Sequence, residues 1–287
     1  MGARTDSVPE GAAADWTIPQ DWDRYSPAEH EMWRRLFERQ ARLLPGRVVP
    51  EFLDGLRVLG LEAQGIPDFG RLSERLMQAT GWQVVAVPGL VPDRVFFEHL
   101  AQRRFVSGRF IRRPDQMDYL QEPDVFHDVF GHVPLLAHPA FADYMQAYGA
   151  GGLRADGLGA IERLARIYWY SVEFGLMKSA QGLRLFGAGI VSSHSESLFA
   201  LDDPSPNRIA FNLARVMRTR YRINDFQQTY FVIDSFDDLL RQTLEADFAP
   251  LYAAADRLPD IAEDAIVPAD DVFHHGTQSR VNRPNSR

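Results

Sequence analysis

The 287-residue chain contains no cysteine. This absence excludes disulfide bonds, iron–sulfur clusters, thiolate metal sites and cysteine nucleophiles. Any metal site must therefore be made from His, Asp and Glu, a ligand set that suits Fe(II), Mn or Zn. The chain also lacks an apolar run of about 18 residues, so the sequence predicts no membrane-spanning helix.

An excess of positive charge is missing as well, because the formal net charge is −8. Nucleic acids and anionic membranes attract basic surfaces, so we expect neither as a partner. The N-terminus lacks the charged-then-apolar order of a secretory signal. We therefore predict a soluble, cytoplasmic enzyme or binding protein, with enough residues for one large domain or two small ones.

Helix signals dominate the sequence. Ser26, Pro27 and Glu29 form a capping box with proline in the first helical turn. Helical periodicity or helix boundary residues predict further helices over residues 50–61, 68–81, 93–103 and 158–177. Short β-branched or aromatic runs predict strands over residues 82–87, around Gly108, and before the last predicted helix, within 228–248.

The chain shows no internal repeat and no interdomain linker. We therefore predict a single, mainly α domain with a few short β-strands, an α+β fold, over residues 21–270. Residues 1–20 are rich in Ala, Gly, Pro and acidic groups, which predicts a mobile tail. Residues 271–287 are predicted to form a polar C-terminal tail.

The segment EPDVFHDVFGHVPLLAH places His127 and His132 five residues apart. On an ideal α-helix these side chains point about 140° away from each other. They can share a face only if the helix ends or distorts between them. Gly131 and Pro134 predict such a break, with a helix that ends near Phe130.

Glu173 lies among aromatic residues in the segment YWYSVEFGLM. A carboxylate at the centre of a strongly apolar helix is costly to bury without a partner. A metal bound by His127 and His132 would compensate for it, and two His with one carboxylate match the facial triad of non-haem Fe(II) oxygenases. Three other interpretations stay open: ordinary core histidines, a zinc hydrolase with Asp128 as its base, and a non-catalytic metal-binding or scaffold protein.

Three segments, EPDVFHDVFGHVPLL, IYWYSVEFGL and FGAGIVSSHSES, resemble in this order the core motifs of the pterin-dependent aromatic amino acid hydroxylases. The resemblance covers roughly residues 20–260. The chain length and the segment DWTIPQDWDRYSPAEHEMWRRLFERQ are most similar to the bacterial phenylalanine 4-hydroxylases. Nothing resembles the regulatory domain or the tetramerisation helix of the animal enzymes, so a monomer is expected.

The resemblance implies the catalytic-domain fold of that family and phenylalanine 4-monooxygenase activity in phenylalanine catabolism. The substrate would be L-phenylalanine and the product L-tyrosine, with tryptophan or tyrosine as alternative substrates. It also implies Fe(II), tetrahydrobiopterin or a related tetrahydropterin, and O2 as co-substrate.

The resemblance further assigns site residues. Iron would be held by His127, His132 and Glu173, which are also the implied catalytic residues. Five residues are implied to bind the pterin. Gly89 and Leu90 would offer backbone groups to its ring, and Phe96 would stack on it. Asp128 would reach it through water, and Tyr168 would line the same pocket.

The implied substrate-binding residues provide a cation for the carboxylate and apolar walls for the ring. Arg112 would pair with the carboxylate, and Pro123, Trp169 and Phe174 would surround the ring. Ser192 would either help to hold the carboxylate or orient a ligating histidine. The remaining candidates lie further out, with His138 at a turn, His194 at the pocket and Glu196 behind it.

Overall fold

The computed structural model of the protein describes residues 7–118 and 122–280. Helices account for about half of the described chain. The α-helices are α1 Pro27–Leu43, α2 Pro50–Leu59, α3 Phe69–Thr80, α4 Asp93–Ala101, α5 Val133–Leu136, α6 Pro139–Gly157, α7 Ile161–Tyr168, α8 Ala188–Val191, α9 His194–Asp202, α10 Leu213–Met217, α11 Phe236–Glu245 and α12 Phe248–Asp256. Short 3-10 helices span Trp22–Arg24 and Pro114–Gln116, and π-helices span Phe126–His132 and Trp169–Glu173. None of the described helices is long and apolar enough to cross a membrane.

The strands form two small sheets. Their bounds are β1 Gln83–Ala86, β2 Arg104–Ser107, β3 Leu176–Ser179, β4 Gly182–Leu185, β5 Asn207–Ala210, β6 Thr229–Ile233 and β7 Val272–His274. Strands β1 and β2 pair in parallel, and the second sheet has the order β4-β3-β6-β5-β7. The single α+β domain that the sequence predicts is confirmed.

The predicted start of α1 is confirmed in detail. Ser26 Oγ accepts the Glu29 N–H at 3.3 Å, and the Glu29 carboxylate accepts the Ser26 N–H at 2.8 Å. This reciprocal pair satisfies two backbone donors that a helix start leaves free. Trp33 and Leu36 then lie on the buried face of the helix, where they are fully inaccessible to solvent.

The helix predicted over residues 158–177 is wrong at its C-terminal end. Helical structure stops at Glu173, and Leu176 and Met177 belong to β3. Leu176 lies opposite Val232 of β6. Pairing with a strand more than fifty residues away therefore overrides the local helical pattern.

The helix does not end near Phe130 as predicted, but it is distorted between His127 and His132, which is the other possibility that the sequence left open. Residues Phe126–His132 form a π-helix that continues directly into α5. Because a π-helix bonds residue i to residue i+5, residues five apart lie about one turn apart, on the same side. Pro134 lies in the first turn of α5, where it removes one helical hydrogen bond without ending the helix. Gly131 instead permits close packing, since a Cβ there would lie 3.0 Å from the Ala188 carbonyl oxygen.

The segment predicted as an N-terminal tail contacts the domain where the structure describes it. Trp16 is 8% exposed and packs with Val87 and Val91, and the Ile18 N–H donates to the Ala86 carbonyl at 2.9 Å. In the predicted C-terminal tail, β7 pairs with β5. Residues 1–6 and 281–287 of the two predicted tails lie outside the described residues, and tail mobility stays a prediction.

Candidate active site

The two π-helices bring the three predicted metal ligands together. His132 Nε2 lies 3.1 Å from Glu173 Oε1, and His127 Nε2 lies 3.7 Å from Glu173 Oε2. The two histidine Nε2 atoms are 3.3 Å apart, and all three ligand atoms lie within 4.8 Å of one another. Glu173 ends the second π-helix rather than occupying the centre of an apolar helix as predicted, so its carboxylate faces the histidines at a helix end.

The protonation of this cluster suits a divalent cation. Burial lowers the pKa of His127 to about 4, so its imidazole is neutral and has a free lone pair near neutral pH. Burial raises the pKa of Glu173, but its electrostatic interaction and hydrogen bond with His132 outweigh burial and leave this pKa below its ordinary value. Two imidazole nitrogens and one carboxylate oxygen, without a thiolate, fit non-haem iron and leave coordination positions open.

Ser192 determines which nitrogen of His127 carries the proton. The Ser192 hydroxyl donates to the Ala188 carbonyl at 2.7 Å, so its oxygen accepts from His127 Nδ1, which is 3.0 Å away. The Nε2 lone pair therefore points toward Glu173 and His132. Of the two roles expected for Ser192, this contact supports the orientation of a histidine.

A series of contacts between aromatic rings connects His132 to two of the predicted pterin residues. The His132 ring lies 4.9 Å from Phe105 and 6.1 Å from Tyr168, measured between ring centroids. Phe96 meets Tyr168 edge-to-face at 5.7 Å. Phe96 and Tyr168 therefore extend one aromatic wall outward from the histidine pair.

The other predicted pterin residues are Asp128 and the loop residues Gly89 and Leu90. Asp128 accepts the Gly108 N–H at 2.8 Å, and burial raises its pKa to about 7. A Cβ added to Gly89 would lie 3.6 Å from the Glu122 carboxylate, and the neighbouring Leu90 side chain is 57% exposed. The loop that contains Gly89 and Leu90 thus offers an exposed apolar side chain beside backbone groups that no side chain covers, and both suit a flat heterocycle.

A buried ion pair supports both Arg112 and the first histidine. Arg112 donates from Nε and Nη2 to the two oxygens of Asp124, each at 2.8 Å, and Asp124 also accepts the His127 N–H at 3.0 Å. Burial raises the pKa of Asp124, but Arg112 outweighs burial and keeps this pKa low. The sequence did not indicate a role for Asp124. Its signal was an acidic residue within an apolar segment, three positions before His127.

All five predicted substrate residues line one cavity of about 530 Å³ together with two of the metal ligands. These lining residues are Arg112, Pro123, Trp169, Phe174 and Ser192, with His127 and Glu173. Trp169 is 4.8 Å from Phe174 and stacks on Tyr221 at 4.3 Å, and its Nε1–H donates to Gln227 at 2.9 Å. The sequence did not indicate Tyr221 or Gln227, because both approach Trp169 from segments more than fifty residues away.

The three remaining candidates, His138, His194 and Glu196, occupy different positions in the structure. His138 is the N-cap residue of α6, and its ring lies 5.4 Å from that of Phe236. His194 opens α9, and neither histidine belongs to the metal-ligand cluster found among the described residues. Glu196 lines the cavity and accepts a hydrogen bond from Tyr230 Oη.

Comparison with known proteins gives consistent matches over most of the chain. A family model for biopterin-dependent aromatic amino acid hydroxylases matches residues 17–251. The chain is 62% identical to the phenylalanine-4-hydroxylase of Caulobacter vibrioides over 271 residues, which cover 94% of this chain and 92% of that protein. It is 61% identical to the phenylalanine-4-hydroxylase of Ralstonia nicotianae, with coverages of 92% and 84%. The iron- and phenylalanine-bound crystal structure of the Chromobacterium violaceum phenylalanine hydroxylase superposes with a TM-score of 0.87 at 55% identity, over 91% of this chain and 95% of that one.

Proposed function

Because this chain belongs to the family of biopterin-dependent aromatic amino acid hydroxylases, we propose that it is a phenylalanine 4-monooxygenase that converts L-phenylalanine to L-tyrosine. The observation that carries the proposal is the His127–His132–Glu173 cluster, which opens onto a cavity with an arginine and aromatic walls. Relatives named phenylalanine-4-hydroxylase at 58–62% identity support the choice of substrate.

In this proposal His127, His132 and Glu173 hold Fe(II). Iron and the tetrahydropterin, when bound, supply the activation of O2 for insertion into the aromatic ring. The chain contributes the orientation of its ligands: Ser192 keeps the proton of His127 on Nδ1, and Asp124 anchors the backbone of the same residue. A tetrahydropterin would lie against the wall formed by Gly89, Leu90, Phe96, Asp128 and Tyr168.

The amino acid would be bound at both ends. Arg112 would receive the carboxylate, since Asp124 occupies Nε and Nη2 and leaves Nη1 without a hydrogen bond to any residue that the structure describes. Pro123, Trp169 and Phe174 would surround the ring and exclude water from it. The bidentate ion pair holds the guanidinium plane in place before the substrate arrives.

The cellular setting is also proposed. We propose a cytoplasmic monomer that acts on a small molecule, without nucleic acid or membrane partners. Its catalytic domain would comprise the predicted residues 21–270 together with the flanking segments that pack on them, Trp16–Ile18 and β7. The acidic net charge of −8 supports the absence of nucleic acid and membrane partners. Size-exclusion chromatography with light scattering measures the oligomeric state directly, and an expected mass of one chain, 32.6 kDa, is the outcome to check.

The test of the function is an assay with reconstituted protein. Fe(II)-loaded protein with L-phenylalanine, O2 and a tetrahydropterin should form L-tyrosine, and the Zn(II)-loaded protein should not. Glu173→Gln should abolish product, whereas Glu162→Gln, the same change at an exposed position of α7, should leave it unchanged. Activity with Zn(II) and without pterin would instead favour the hydrolase, and exclusive hydroxylation of tryptophan would refute the substrate alone.

A further inference from the structure

One acidic residue of the cavity has no part in the chemistry described above. Glu196 lies in the first turn of α9, lines the cavity and is only 7% exposed. Its carboxylate accepts from Tyr230 Oη and from the Gln227 backbone N–H. Both donors are neutral. Across residues 7–118 and 122–280, no Arg, Lys or His nitrogen lies within 4.0 Å of this carboxylate.

A buried carboxylate without a cation is energetically unfavourable. Burial raises the pKa of Glu196 to about 7, although the Tyr230 hydrogen bond opposes this rise. Arg280 lowers the pKa of Glu196 only weakly, because it is already paired with Asp203 at 3.4 Å and lies over the Phe226 ring. The protein itself therefore leaves the charge of Glu196 uncompensated, and a cationic ligand group would compensate it.

The other acids on the cavity wall are less suited to receive a cation. Asp118 is exposed and pairs with Arg39, Glu122 and Asp225 are exposed, and Glu173 belongs to the metal cluster. An exposed carboxylate gains little from an ion pair because water screens it. Glu196 is thus the buried carboxylate of this wall that remains available to a ligand.

The substrate of the proposed function, L-phenylalanine, carries a negative carboxylate and a positive ammonium group on the same carbon atom. Arg112 accounts for the carboxylate, and the positive α-ammonium needs an acceptor in the same cavity. We propose that Glu196 binds the α-ammonium of the substrate, so that the cavity selects a zwitterionic amino acid over the corresponding carboxylic acid. This proposal rests on the proposed function, because it takes an amino acid as the ligand of the cavity.

The experiment compares two ligands that differ only in the ammonium group. L-phenylalanine and 3-phenylpropionate share the ring and the carboxylate, and both can be titrated calorimetrically into the Fe(II)-loaded protein without pterin or O2. Glu196→Gln should weaken L-phenylalanine roughly ten- to hundredfold, the size expected for a charge-assisted hydrogen bond, and leave 3-phenylpropionate within about threefold. Retained binding of 3-phenylpropionate also shows that the variant is folded.

Two further variants separate charge recognition from other effects. Asp225→Asn removes an exposed acid from the same wall, and Tyr230→Phe removes the hydrogen bond of Glu196 while the carboxylate stays. Asp225→Asn should keep the preference for L-phenylalanine, and Tyr230→Phe, which removes a hydrogen bond that lowers the pKa of Glu196, should weaken the preference less than Glu196→Gln does. Equal losses for the two ligands in Glu196→Gln, no loss for L-phenylalanine in that variant, or loss of the preference in Asp225→Asn would each overturn the proposal.

The outcomes also separate this proposal from the proposed function. If the wild-type protein binds L-phenylalanine through Glu196 but forms no tyrosine, the function fails and the recognition stands. If it forms tyrosine while Glu196→Gln binds both ligands as the wild type does, the recognition fails alone.

Discussion

Replacement of Ser192 by Ala tests how the first histidine is prepared for metal. Ser192 is 4% exposed, and its oxygen accepts from His127 Nδ1 at 3.0 Å. Its own proton goes to the Ala188 carbonyl, which also accepts the Ser192 backbone N–H at 3.0 Å. Truncation therefore leaves Ala188 with a partner and removes the partner of His127 Nδ1 alone.

The penalty should fall on the metal-bound state. Without metal, the imidazole of Ser192→Ala can move its proton to Nε2, which faces Glu173 at 3.7 Å. With metal on Nε2, the proton must return to Nδ1, where it has lost its acceptor. An unsatisfied buried donor costs about 1–3 kcal/mol, and roughly 1.4 kcal/mol corresponds to a tenfold change. We expect about ten- to hundredfold weaker metal binding, in agreement with the effect of removing partners of ligating histidines.

The assay is an anaerobic Fe(II) titration in competition with a chelator, accompanied by denaturant unfolding of the metal-free protein. Ser195→Ala is the matched control, because it removes an exposed hydroxyl from the same segment. Ser192→Ala should lower metal affinity while the free energy of unfolding of the metal-free protein changes little. Wild-type metal affinity in Ser192→Ala would refute the role of this hydrogen bond.

Three further changes have defined outcomes. Asp124→Asn should lower the free energy of unfolding by about 3–5 kcal/mol in denaturant titrations, because it leaves the buried Arg112 without its counter-charge; a loss below about 1 kcal/mol would contradict this. Gly187→Ala should reduce both thermal stability and metal affinity, since a Cβ there would lie 2.4 Å from the Glu173 carbonyl oxygen, and unchanged metal affinity would argue against it. Burial lowers the pKa of His99 below its ordinary 6.5, so the free energy of unfolding should be highest above about pH 6.5 and fall as the pH falls. His99→Gln should reduce this dependence of the unfolding free energy on pH. An unchanged pH dependence would show that His99 is not its cause.

The sequence predicted local features well where neighbouring residues are sufficient. The capping box of α1 involves residues only three positions apart, so its hydrogen bonds are encoded in one short segment. Gly81 ends α3 with φ of 77°, as expected for a residue without a Cβ. The identity of the metal-ligand candidates also came from the sequence, because buried histidines and a buried glutamate are chemically conspicuous.

Features that depend on distant partners were not predictable in this way. Strand β3 forms because Leu176 meets Val232, although its own segment has a helical pattern. The partners of Trp169 come from Tyr221 and Gln227, which no local pattern associates with it. Intrinsic propensity is a weak preference, and tertiary contacts of this kind decide against it.

The metal cluster shows this division most clearly. By itself the sequence determined which residues could bind the metal: the imidazoles of His127 and His132 and the carboxylate of Glu173, in a chain without cysteine. Only the tertiary structure decided how His127 and His132 come to share a face, because a π-helix places residues five apart on one side. The same structure decided which groups hold them, since Ser192 and Asp124 act through hydrogen bonds whose geometry depends on folded positions.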